Sequence, residues 1–187
     1  MAFEPKGPPL MDAQDEAKRL QRLHDIGGLD YQEDNLLRAL AEEALALVPG
    51  TSIAAVSLIE ADRQLFKTIV GLDLKETPRD VSFCAHTIQT AGVLVVEDAT
   101  LDSRFAANPL VTSAPGIRFY AGVRLTGGIG ALCVIGRTPR RAGTAEIAKL
   151  VKLAQYVDIQ LLAHGTLLNA PSPASKISIA QPVKKAG

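Results

Sequence analysis

The chain has 187 residues, twenty Lys plus Arg against twenty Asp plus Glu, no Trp, 4% aromatic and 47% hydrophobic residues, and two cysteines. That length suits one domain with a substantial core, and zero net charge removes the electrostatic case for a general nucleic-acid or membrane-surface binder. No apolar run reaches the roughly eighteen residues of a membrane span, and the Met1-Ala-Phe-Glu-Pro start lacks a signal peptide's basic and apolar regions, so a cytoplasmic protein is expected.

In chain order, residues 1–11 contain Pro and Gly without any period and are read as disordered. A first amphipathic helix is expected from Asp12, with Ala13, Ala17, Leu20 and Leu23 on one face and Gly27-Gly28 closing it. Asp30-Tyr-Gln-Glu33 has the outline of a capping box for a second helix, whose stripe is Leu36, Leu37, Leu40, Ala44 and Leu47. Ile53–Ile59 and Leu65–Val70 read as a hairpin turning at Asp62-Arg63, and Val93–Val96 as a third strand. Between them, Ser82 to Thr90 reads as a short helix with Ser82 as its cap. A second irregular stretch, Ala99 to Gly116, precedes the strand Arg118–Leu125, which a Gly-rich turn joins to the wholly apolar Ala131–Ile135. A last helix is expected from Thr144 to about Ala163, with a seam of Ile147, Leu150, Ala154, Val157 and Leu161 that suits either the domain's own sheet or a second copy of the chain. The basic segment 164–187 is read as a disordered tail, leaving one α+β domain over 12–163 around a mainly antiparallel sheet.

The zero charge is a sum of unlike parts. From His164 onward there is no acid, and six arginines (Arg104, Arg118, Arg124, Arg137, Arg140, Arg141) lie between Asp102 and Glu146 with no carboxylate among them. By strand alternation Phe119, Ala121, Val123 and Leu125 face the core, while Arg118, Tyr120 and Arg124 face the other way. That second set is either an ordinary solvent face or one wall of a pocket for an anionic or carbonyl-rich ligand.

Two loops of about twenty residues hold most of the candidate chemistry. The first carries Ser82-Phe83-Cys84-Ala85-His86; the second carries Asp98, Asp102, Arg104, Phe105 and Asn108, and leads into Tyr120. Cys84 lies in a helix's first turn, where the dipole favours a thiolate, although a buried small apolar residue is the reading preferred from the sequence. His86, two residues on, points away from Cys84, so a Cys-His nucleophile pair is not expected. Cys133 belongs to an apolar strand and reads as core; 49 positions apart, the two cysteines suggest neither a disulfide framework nor a metal cluster. Phosphate-loop, dinucleotide, zincin, hydrolase-elbow and kinase motifs are all missing from the sequence.

The run Asp62-Arg-Gln-Leu-Phe-Lys67, Gly71-Leu-Asp, Glu76-Thr-Pro-Arg, Phe83-Cys-Ala-His86, Val95-Val-Glu-Asp-Ala99, Asp102-Ser-Arg-Phe105, Asn108-Pro-Leu-Val, Gly116-Ile-Arg-Phe-Tyr-Ala-Gly122 and Leu132-Cys-Val-Ile135 resembles the GAF domain. It is most similar to the branch with an F-C-A-H motif, found ahead of histidine kinase and diguanylate cyclase output domains in bacteria. The resemblance implies a six-stranded antiparallel sheet, helices on one face, pocket-forming loops on the other, and homodimers through the terminal helices. Carried over by motif, the pocket residues are Phe83, Cys84, His86, Asp98, Asp102, Phe105, Asn108, Arg118 and Tyr120. Family ligands range from cyclic nucleotides to tetrapyrroles, so the ligand stays unassigned beyond a small molecule, with an anion favoured by the arginines and with bilin and haem disfavoured. The chain departs from the branch in its short Thr126–Gly130 turn and in Gly136, where an acid is usual. The expectation is a stand-alone, non-catalytic sensory module, a homodimer that signals to a separate partner protein. The alternatives are a thiol-based redox enzyme or sensor using Cys84, like the free methionine sulfoxide reductases, and a ligand-free interaction module.

Overall fold

A computed structural model describes residues 11–27 and 34–168, with side chains as far as residue 163. Asp12 caps α1 (Ala13–Asp25) by accepting from the Gln14 N–H at 2.7 Å, and Asp34 caps α2 (Asn35–Leu47) by accepting from Leu36 and Leu37. Each carboxylate thereby satisfies amides that the first helical turn leaves without partners. The capping box expected at residues 30–33 lies outside the described residues, as do the segments 1–10 and 169–187 that were read as disordered.

The strands are β1 (Ile53–Ile59), β2 (Arg63–Val70), β3 (Glu76–Pro78), β4 (Val93–Val96), β5 (Phe119–Arg124) and β6 (Gly130–Gly136). They form one antiparallel sheet in the order β3-β2-β1-β6-β5-β4, with α3 (Phe83–Thr87), α4 (Pro109–Thr112) and α5 (Thr144–Leu168) completing the chain. This is the six-stranded α+β architecture expected from the sequence. β3 was not expected; its three residues pair Arg63–Leu65 of β2, with Pro78 at the sheet edge where its missing N–H costs no ladder bond.

Alternation along the central strands sends side chains into two cores. Ala54, Val56 and Leu58 of β1, Phe119, Ala121 and Val123 of β5, and Leu132 and Val134 of β6 meet Leu37, Ala41 and Ala44 of α2 and Leu150, Leu153, Ala154, Val157 and Leu161 of α5. The other faces, Ala55, Ile59, Tyr120, Ala131 and Cys133, meet α3, Phe105 and Val111. The α5 seam therefore packs on the domain's own sheet. The helix runs to Leu168, beyond the end read near Ala163, and Tyr156, Ile159 and Leu162 remain exposed on it.

α1 buries only the later half of the face its apolar spacing suggests, Leu23 entering the core and Leu20 packing on it. Ala13 and Ala17 are exposed, whereas Arg19 is wholly buried beside Leu23. The guanidinium donates to the Ile59 carbonyl at 2.5 Å and to both Glu16 oxygens at 2.7 and 2.8 Å, and Arg79 donates to the same carboxylate at 2.5 Å. A buried cation so well matched in hydrogen bonds outweighs the small gain from burying two alanines. The link ties α1 to the end of β1 and to the 3-10 turn Arg79–Val81 that leads into α3.

Donation from Arg19, then from Arg79, holds the Glu16 carboxyl down at about 2 from an ordinary 4.5, against the opposing effect of burial. Because the folded value is depressed, this stabilisation is complete above about pH 4.5 and is lost as pH falls towards 2. Glu16→Gln should lower the urea midpoint at pH 7, and its deficit against the parent should shrink steadily from pH 4.5 to 2; a deficit independent of pH would refute the link.

Candidate functional site

The site is built where α3 lies on the inner face of β1, β5 and β6. Ser82 caps α3, accepting from the Ala85 N–H at 3.0 Å, while its own hydroxyl donates to the Gln64 side-chain oxygen of β2. That pair fixes where the helix starts over the sheet, and every residue from Phe83 to Thr87 is buried. Phe83 stacks on Phe105 from the second loop, with ring centres 3.9 Å apart and planes 8° from parallel. Tyr120 lies 5.2 Å from Phe83, and His86 meets the Phe105 ring edge-on at 4.7 Å. One aromatic cluster thus pins both loops to the sheet.

Tyr120 reaches this position because of Gly122. A β-carbon on Gly122 would stand 2.1 Å from the Tyr120 hydroxyl oxygen, so the phenol lies across the bare glycine. Its hydroxyl is 2.6 Å from Thr87 Oγ1 and donates to Cys84 Sγ at 3.3 Å. The Cys84 thiol in turn meets Cys133 Sγ of β6 at 3.7 Å. The two cysteines, far apart in the sequence, are therefore neighbours, and Cys133 belongs to the site as well as to the core.

The contact with the Cys133 thiol, helped by the Tyr120 hydroxyl, outweighs burial and brings the Cys84 pKa down from 9.0 to about 7. The contact with Cys84, together with burial, pushes the Cys133 thiol well up. Burial likewise raises Tyr120. His86 is lowered from 6.5 to about 4, chiefly by burial and then by the Arg104 charge, with Asp102 opposing; it is a neutral imidazole at pH 7.

The remaining residues expected at the site hold the loops. Asn108 caps α4 through Leu110 N–H and donates its amide to the Val81 carbonyl at 2.9 Å, joining the second loop to the turn before α3. Arg118 donates to the carbonyls of Val111 and Ile117 at 2.9 and 3.0 Å. Asp102 is bound by both arms of Arg104 at 2.9 and 2.6 Å, which lowers its pKa, and Arg104 also lies over the Phe105 ring. Asp98 accepts from the backbone and hydroxyl of Thr100.

Between α3, β1–β2 and the second loop lies an apolar chamber of about 40 Å³. Since a water needs some 10–15 Å³ of such space, the chamber takes a few water-sized groups and falls far short of the several hundred ångströms cubed of a drug-sized site. Phe83, Cys84 and Tyr120 line it, along with Gln64, Thr77 and Cys133, which the sequence reading did not select. Alternation would have placed Gln64 beside Phe66 and Cys133 beside Ala131 on the inner face; only the docking of α3 shows that Cys133 touches Cys84. No arginine lines the chamber: Arg104 and Arg118 are engaged as described, and Arg140 pairs with Glu146 and the Pro49 carbonyl. Among the described residues no group of three His, Cys, Asp or Glu is placed to hold a metal, and no helix is long and apolar enough to cross a membrane.

No protein-family model matches the chain. Among solved structures, the GAF domain of an Acinetobacter phosphoenolpyruvate-protein phosphotransferase is similar at a TM-score of 0.56 and 17% identity, covering 84% of this chain and 98% of that one. The chain has the GAF fold. A second GAF-fold neighbour is the free methionine-R-sulfoxide reductase of Neisseria meningitidis, solved with its substrate, at a TM-score of 0.56 and 16% identity over 88% of this chain and 99% of that one. In sequence, a cyclic di-GMP phosphodiesterase of Pseudomonas aeruginosa is 41% identical over 149 residues, 77% of this chain. The chain spans about a quarter of that relative's length, 25%.

These comparisons correct one expectation, that the GAF module is non-catalytic. The relative at 41% identity is named a phosphodiesterase, and a neighbour with the same fold, matched almost end to end, is a reductase, so the proteins this chain resembles include enzymes.

Gly122→Ala should cost about 1–3 kcal/mol of stability, the usual range for overfilling a packed core. Adding Tyr120→Ala should remove the clash, so that Gly122→Ala has little further effect in that background. Equal costs in both backgrounds, measured by denaturation, would contradict the packing of the phenol over the glycine.

Proposed function

We propose that this chain is a sensory domain of cyclic di-GMP signalling, holding a small effector beneath its loops and setting the rate of a phosphodiesterase activity. The observation that carries this reading is the 41% identity to the Pseudomonas phosphodiesterase, which extends across both loops and both cores. An effector larger than a few water-sized groups would have to open the Phe83–Phe105 stack to enter the 40 Å³ chamber. The effector would meet Phe83, Cys84, His86, Phe105 and Tyr120, while Asn108, Arg118, Asp98 and Asp102 shape the loops around it. A change at α3 has a physical route outward, because Arg79 beside α3 shares Glu16 with Arg19 of α1. Exposed Tyr156, Ile159 and Leu162 on α5 supply an apolar strip for a homodimer through the terminal helices, or for docking on a partner.

A second reading, a thiol-based redox enzyme or sensor using Cys84, is favoured by the 3.7 Å contact between Cys84 and Cys133.

To test the first reading, this chain replaces the matching quarter of the Pseudomonas relative and hydrolysis of cyclic di-GMP is followed. The chimera should hydrolyse it, and Phe105→Ala, which unstacks the loops, should change the rate several-fold. A rate indifferent both to the exchange and to Phe105→Ala would count against a sensory role.

A further inference from the structure

Cys84 and Cys133 form more than a pair of small residues in a core. A thiol buried among apolar groups ordinarily has its pKa raised, because nothing compensates the loss of water. Around Cys84 the structure instead places polar company: the Cys133 sulfur in contact at 3.7 Å, and the Tyr120 hydroxyl, which donates to Cys84 at 3.3 Å and is held in place by Thr87 and by the bare Gly122. Both sulfurs face the 40 Å³ chamber. Thr77, nine-tenths buried and lining the same chamber, carries a hydroxyl oxygen with no hydrogen-bond partner among the described residues. An orphaned hydroxyl in an otherwise apolar chamber marks a place where a small polar guest gains a hydrogen bond.

The chamber is not sealed. A surface depression of about 480 Å³ shares Leu72, Leu74, Thr77, Leu110 and Pro115 with it, so the orphaned hydroxyl stands between the outer and the inner space. Size then selects the guest. A few water-sized groups fit; an amino-acid sulfoxide does not unless the Phe83–Phe105 stack opens.

We propose that Cys84 and Cys133 are a peroxide-reactive dithiol, closed to an intramolecular disulfide by hydrogen peroxide admitted to the chamber. This rests on the thiol reading above and names its oxidant and its second sulfur. The Cys84 thiolate attacks one peroxide oxygen; the O–O bond breaks, Cys84 becomes a sulfenic acid, and the departing hydroxide takes up a proton to leave as water. The Cys133 sulfur then attacks the Cys84 sulfur. The S–O bond breaks, the hydroxyl leaves with the Cys133 proton as a second water, and the S–S bond forms. In sum, two thiols and one hydrogen peroxide give one disulfide and two waters. The sulfurs must close from 3.7 Å to about 2.05 Å, which draws α3 onto β6 and displaces the Tyr120 hydroxyl from Cys84. Tyr120 shares its cluster with Phe83 and Phe105, so the loop stack would register the oxidation.

The test treats the purified full chain with hydrogen peroxide and, separately, with free methionine sulfoxide, followed by thiol counting and mass spectrometry of proteolytic peptides. Peroxide should remove both thiols together, lower the mass by two hydrogens, and cross-link the Cys84 and Cys133 peptides within one chain. Cys133→Ala should instead retain a sulfenic acid on Cys84 that a dimedone-type probe traps, and Cys84→Ala should leave Cys133 unreactive. Thiols that survive peroxide, or that cross-link only between chains, overturn the proposal. If methionine sulfoxide is reduced while peroxide forms no Cys84–Cys133 bond, the dithiol proposal falls and the thiol reading stands. If neither oxidant touches Cys84, both fall.

Discussion

β1 and β6 lie side by side at the centre of the sheet and are buried almost throughout, so each must send alternate side chains into two separate apolar cores. That constraint shapes everything else. A sheet solvated on one face would let the connecting loops stand in water; here they have to cover Ala55, Ile59, Ala131 and Cys133. They do so with one short helix and a stack of aromatic rings. The site is the gap left where that cover meets the sheet, which is why it is small, apolar and floored by a cysteine.

The helical face does a different task with the same strands. α2 and α5 fill it with Leu, Ala and Val, and α1 is attached through a buried guanidinium as well as apolar packing. An ion-pair link of this kind is less forgiving than a hydrophobic one, since loss of a partner leaves a charge in a poor solvent. Glu16 is shared between Arg19 and Arg79, so the position of α1 and that of the turn before α3 are not independent. The GAF fold thereby carries a mechanical connection from the loop core to a terminal helix, around the sheet edge rather than through the sheet.

The elements most legible in the sequence were those with local rules. The β1–β2 and β5–β6 hairpins follow from alternation and short turns, and Ser82 and Asp12 announce their helices by capping chemistry. β3 escaped notice because three residues ending in Pro have no period of their own and exist only by pairing with β2. On α1 the apolar spacing placed Leu20 and Leu23 inward, but it cannot foresee that Arg19 would join them by finding the Ile59 carbonyl. The acid-free arginine stretch looked like a pocket wall. In three dimensions Arg104 and Arg140 turn to Asp102 and Glu146 at its ends, and Arg118 turns to main-chain carbonyls. The contact between Cys84 and Cys133 depends on where α3 docks, which no local pattern encodes.

The loop side of the sheet is a true second core enclosing a small chamber, rather than a loose lid over a large open site. Native-state amide hydrogen exchange tests this most directly. The Ile88, Ala99 and Phe105 amides, bonded to the carbonyls of Cys84, Arg118 and Asp102, should exchange as slowly as those of central strand residues such as Ala55 and Cys133. Exchange of those loop-side amides by local opening, orders of magnitude faster than in β1 and β6, would contradict it.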